Sequence, residues 1–89
     1  MILYLDSSSL AKLYIEEDGS PAIKQATLQA ESLVSSLVAY AEVRAALARA
    51  VVAARITAGQ NQLARNRLDL DWQLMAVSAV SADTVRARR

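Results

Sequence analysis

The 89 residues contain no cysteine and no histidine. Without cysteine there is no disulfide framework, no thiolate nucleophile and no zinc–thiolate site. Without histidine, a Ser-His-Asp triad and any histidine-ligated metal are excluded within this chain. Phenylalanine is absent and aromatics amount to 4%, so Ala, Leu, Val and Ile must fill the core. The longest apolar runs are broken by charge well short of about 18 residues, so no membrane-spanning segment is expected. No basic segment precedes the first apolar run, and nothing has the length of a signal peptide, so a cytoplasmic protein is expected. Chemistry is left to carboxylates, hydroxyls, lysine and arginine.

What is there suits one small domain over residues 1–89. The hydrophobic content of 54% and mean hydropathy of +0.19 belong to a compact chain rather than a disordered one. A formal net charge of +1 argues neither for nor against a polyanionic partner. The arginines are unevenly placed, however: Arg44, Arg49, Arg55, Arg65, Arg67, Arg86, Arg88 and Arg89 all lie at or after residue 44.

Short apolar runs alternate with helical periodicity. Ile2 to Leu5 reads as a strand buried on both faces. Leu10, Leu13 and Tyr14 mark a helix from Ser8 to about Ile15. Ser20-Pro21 is an N-cap followed by proline at the first helical position, opening a helix to about Ala30. Ser32 to Ser35 reads as a second strand, and a long Ala- and Leu-rich helix follows from Leu37 to about Arg55. Thr57 to Gln60 has capping-box spacing, with a helix expected to about Leu70. Trp72 to Val80 returns to strand character, and Ser81 caps a final helix. The order βααβααβα predicts an α/β fold with a parallel sheet. The chain ends on RARR about two turns into that last helix, without a cap, which is the pattern expected of the N-terminal part of a longer domain.

Two acids stand out. Asp6 follows the first strand directly, in MILYLDSSSLAKLYIEED. Carboxyl ends of parallel strands are where ligands gather in open α/β sheets, and Ser7, Ser8 and Ser9 supply hydroxyls beside it. On spacing alone, capping of the helix that begins there is the commoner role for such an acid. Glu42, in SSLVAYAEVRAALAR, has Val38, Ala39, Ala45 and Ala46 as its three- and four-residue neighbours. Arg49 lies seven residues on, on the same face. Such small neighbours fit a solvated surface glutamate, and they also leave room for a second carboxylate to share a cation with Asp6.

MILYLDSSSLAKLYIEEDGS followed by SLVSSLVAYAEVRAALARA resembles the start of a PIN domain of the VapC toxin-ribonuclease type. The likeness continues through RITAGQNQLARNRLDLDW and covers essentially the whole chain. That family's pattern is a strand ending in an acid, a Ser or Thr close behind, and a second acid on a later helix after a short strand. Asp6 and Glu42 fall on the two acidic positions, and Ser7 or Ser8 on the hydroxyl position. The resemblance implies a PIN-like three-layer sandwich with a parallel sheet, incomplete at its C-terminus. It also implies a metal-dependent endoribonuclease toxin of a type II toxin–antitoxin system. Asp6 and Glu42 are then Mg²⁺ or Mn²⁺ ligands, hard cations that prefer oxygen, with Ser8 assisting. RNA is the implied substrate, and a small antitoxin protein and a second copy in a homodimer are the implied partners.

The sequence departs from the pattern in one respect. PIN domains carry a third acid, and usually a fourth, on later segments that have no counterpart here. Asp69, Asp71 and Asp83 are expected to play structural roles instead. A weakly active or inactive ribonuclease is therefore expected; the alternative is a non-catalytic PIN remnant that binds antitoxin or dimerises. Arg49 is a candidate phosphate contact, as are Lys24, Arg65 and Arg67, although scattered arginines on helices also make ordinary solvated faces. Tyr4, Tyr14, Tyr40 and Trp72 form no stacking platform and are assigned to core or dimer packing. The Ala-rich face from Ala45 to Ala54 permits close approach of another helix.

Overall fold

The computed structural model describes residues 1–78. In chain order they form β1 (Ile2–Tyr4), α1 (Ser7–Ala11), α2 (Ser20–Gln29), β2 (Ser32–Ser36), α3 (Leu37–Val52), α4 (Ala58–Trp72) and β3 (Ala76–Ser78). The strands make one sheet in the order β1-β2-β3. Both pairings are parallel, with Leu3 opposite Leu33 and Ser35 opposite Val77. Each crossover spends two helices, so the expected alternation of one strand with two helices holds as far as β3. The helix expected after Ser81, with Asp83, Arg86, Arg88 and Arg89, lies outside the described residues. Among the described residues no helix is long and apolar enough to cross a membrane.

One core unites the layers. Leu5 beyond β1, Leu10 and Ala11 of α1, Ile15, Ala39, Val43 and Leu47 of α3, Leu68 of α4 and Met75 form a single buried cluster. No phenylalanine contributes, and Leu5, Leu10, Leu47 and Leu68 are wholly buried. Each such leucine is worth roughly 1.5–3 kcal/mol relative to exposure.

Several boundaries differ from the sequence pattern, each for a local reason. α1 stops at Ala11 because the following amides bond three residues back, Leu13 to the Leu10 carbonyl and Tyr14 to that of Ala11, tightening the chain out of the α-helix. The N-cap of α2 is Gly19, not Ser20: its φ of +88° is left-handed and natural only for glycine. Ser20 is buried instead, its hydroxyl accepting from the Glu17 amide at 3.0 Å and donating to the Ile15 carbonyl at 3.3 Å. α3 ends at Val52 rather than Arg55. There Arg55 N–H bonds the Ala50 carbonyl and Ala54 N–H that of Val51, the double closure of a Schellman turn, with Ala54 at φ +58° in the place glycine usually takes. The capping box at Thr57 forms as expected, with Gln60 N–H donating to Thr57 Oγ1 at 3.0 Å and Thr57 N–H to Gln60 Oε1 at 2.8 Å. α4 continues through Trp72, which sequence pattern assigned to a strand, because the indole packs against Tyr40 of α3 with ring centroids 5.0 Å apart.

Candidate active site at the carboxyl end of the sheet

The parallel sheet sends two neighbouring strands into helices at the same end. β1 leads through Leu5 and Asp6 into α1, and β2 leads directly into α3. The junction is fixed from inside: Leu5 N–H donates to the Val34 carbonyl at 2.8 Å, and the buried Ser35 hydroxyl donates to the Leu5 carbonyl at 2.8 Å. Ser36 caps α3, its hydroxyl accepting from Ala39 N–H at 3.1 Å. α1 packs on α3, so both helix N-termini open at this end of the sheet.

Asp6 is the N-cap of α1. Its Oδ1 accepts from Ser9 N–H at 2.9 Å and from the Ser8 hydroxyl at 3.1 Å, and its carbonyl accepts the first helical bond from Leu10 N–H at 2.9 Å. The carboxylate is thereby oriented in an extended backbone (φ −76°, ψ 177°) and is partly buried. Lys12 Nζ reaches the Ser8 carbonyl at 3.5 Å, bringing a cation to the same turn. The capping role is thus made.

Glu42 lies in the second turn of α3 and is exposed. Its immediate neighbour Val43 is buried, and so is Ala39 one turn back. Ser8 and Asp6 are joined by a hydrogen bond; Glu42 stands on the adjoining helix without a bond to either. Among the described residues no group of three or more acids gathers at metal-holding distance. The donors at this end are oxygen alone, carboxylate and hydroxyl, the set that suits Mg²⁺ or Mn²⁺ rather than softer metals.

The acids of LDLDW are engaged elsewhere. Tyr40 donates its hydroxyl to Asp69, while Arg44 Nη1 donates to the Tyr40 oxygen at 3.1 Å. Tyr14 donates to Asp71 Oδ2 at 2.8 Å, and Arg67 Nε lies 3.5 Å from the same carboxylate. Burial, followed by the Asp71 hydrogen bond and charge, raises Tyr14 far above the ordinary phenol range. Both aspartates therefore tie α4 to the rest of the fold, the structural role expected of them. Nothing in their spacing foretold the tyrosine partners, which lie 29 and 57 residues away. Arg49 is exposed on α3, two turns beyond Glu42. Compared with protein-family models and with curated proteins, the chain matches none.

Proposed function

We propose that the chain is a PIN-like, metal-dependent endoribonuclease of the toxin–antitoxin kind. What supports this most directly is Asp6, a carboxylate at the carboxyl end of a parallel strand, oriented by the Ser8 hydroxyl and the Ser9 amide. Asp6 and Glu42 are the residues that would hold Mg²⁺ or Mn²⁺, and Ser8 positions Asp6. A cation so held supplies Lewis acidity, lowering the pKa of a bound water and neutralising phosphate charge. Ser8 donates its hydroxyl to Asp6 Oδ1 at 3.1 Å and so restrains that carboxylate. Two carboxylates are a sparse ligand set even for Mg²⁺, which retains several waters, so turnover is expected to be slow. The three-layer sandwich, the cytoplasmic setting and a small antitoxin partner belong to the same proposal.

Manganese-dependent RNA cleavage by the 89-residue chain tests it, with chelator and Asp6→Asn as controls. Cleavage abolished by both supports the assignment. A folded chain that cleaves no RNA favours the second reading, a non-catalytic PIN remnant that binds other proteins. The exposed apolar side of α3 is the observation on which that second reading rests.

A further inference from the structure

The chain has two lysines, Lys12 and Lys24, and they are held differently. Lys24 is exposed on α2 and pairs with Glu16 at 3.2 Å. Lys12 is partly buried and enters none of the ion pairs found among the described residues, although Glu16, Glu17 and Asp18 follow closely in sequence. It lies one turn after Ser8, and side chains on a helix lean toward its N-terminus, so the lysine runs back toward that serine. Its Nζ ends 3.5 Å from the Ser8 carbonyl oxygen.

The stem has a seat. A Cβ added at Gly19 would stand 3.3 Å from Lys12 Cε and 3.6 Å from Cδ. The same glycine whose left-handed φ starts α2 therefore leaves the space in which the stem lies. A lysine so held covers its methylenes and keeps its charged head at the surface. The bond to Ser8 engages one of the ammonium's three donors, and at 3.5 Å it is long enough to yield to a better acceptor.

Ser8 joins this head to the candidate ligand, since its hydroxyl donates to Asp6 at 3.1 Å. A divalent cation on the two carboxylates Asp6 and Glu42 is only just neutralised, so attraction for a phosphate anion has to come from another charge. Lys24 is engaged with Glu16, and Arg67 with Asp71 at 3.5 Å. We propose that Lys12 is the phosphate contact of this site, its ammonium binding a non-bridging oxygen of the RNA backbone beside the cation. The inference rests on the ribonuclease reading above and adds to it the residue that anchors the substrate. A compact ammonium on a flexible stem suits a single phosphate oxygen, which it meets as a point charge.

Fluorescence anisotropy of a labelled single-stranded RNA tests it, titrated with the full chain at several KCl concentrations and constant magnesium. Lys12→Met keeps an aliphatic stem against Gly19 and removes the charge, Lys12→Arg keeps the charge, and Lys24→Gln removes an equal charge at the Glu16 pair. Each phosphate contact on a single strand contributes about 0.7 to the slope of log affinity against log salt. Lys12→Met is therefore expected to bind about fivefold more weakly at about 0.1 M salt, with a slope shallower by about 0.7. Its urea midpoint should match the wild type. Lys12→Arg should recover most of the affinity, and Lys24→Gln should bind as the wild type does.

Wild-type affinity and slope in Lys12→Met overturn the contact and leave the ribonuclease reading standing. Equal losses in Lys12→Met and Lys24→Gln also overturn it, because both then report bulk charge. An equal loss in Lys12→Arg and Lys12→Met overturns it too, assigning Lys12 a packing role. A wild type that binds no RNA at any salt overturns the ribonuclease reading itself, and the role of Lys12 falls with it.

Discussion

Tyr14 donates its hydroxyl to Asp71 at 2.8 Å across 57 residues of chain. The bond joins the turn after α1 to the last turn of α4, and Arg67 supports the carboxylate from the side at 3.5 Å. Hydrogen bonds to a charged group are worth roughly 1.5–3 kcal/mol. Tyr14→Phe is therefore expected to lower unfolding free energy by about 2 kcal/mol in urea titration at neutral pH.

The same contact sets an alkaline limit to stability. Burial and Asp71 raise the folded-state phenol above its unfolded value of 10.0. A raised pKa means the unfolded chain ionises first, so the contribution is complete below pH 10 and declines as pH rises above it. Thermal melts between pH 8 and 11 should show this loss in the wild type and a shallower loss in Tyr14→Phe. Equal slopes in the two proteins would assign the alkaline sensitivity to other groups.

Asp6 carries a cap and a proposed ligand position at once, and two substitutions separate them. Asn caps helices about as well as Asp, whereas Ala costs about 1 kcal/mol. Asp6→Asn is expected to keep wild-type stability and lose manganese-dependent cleavage; Asp6→Ala is expected to lose both. Retained cleavage in the stable Asp6→Asn protein would leave the carboxylate with a capping role only.

Ala54 sits at φ +58° in the turn that closes α3. For a residue bearing a Cβ this conformation costs roughly 1–2 kcal/mol, and glycine escapes the penalty. Ala54→Gly should raise stability by about 1 kcal/mol after its greater unfolded-state entropy is offset, measurable as a higher urea midpoint at constant slope. A lower midpoint would mean that the left-handed turn is not under strain.

Much of the local structure was written in short-range signals. The Thr57–Gln60 box formed at its expected place because both partners lie within one turn of each other. The order of strands and double-helix crossovers followed from alternating apolar runs, since a parallel pair requires a long connection. Asp6 was legible for the same reason: a strand, an acid and a helix start are adjacent in sequence. Ser20 was misjudged by one residue because its buried bonds to Ile15 and Glu17 depend on how the link between α1 and α2 folds back.

What the sequence determined by itself was composition-limited chemistry, the alternation of elements and the caps at Asp6 and Thr57, all fixed by neighbours within a turn or a strand. Tertiary structure alone decided that Asp69 and Asp71 are claimed by Tyr40 and Tyr14, that Trp72 stays helical against Tyr40, and that one side of α3 is buried while the other is bare. Those outcomes depend on groups 29 to 57 residues apart being brought into contact, and neither propensity nor periodicity encodes which distant partner a side chain will meet.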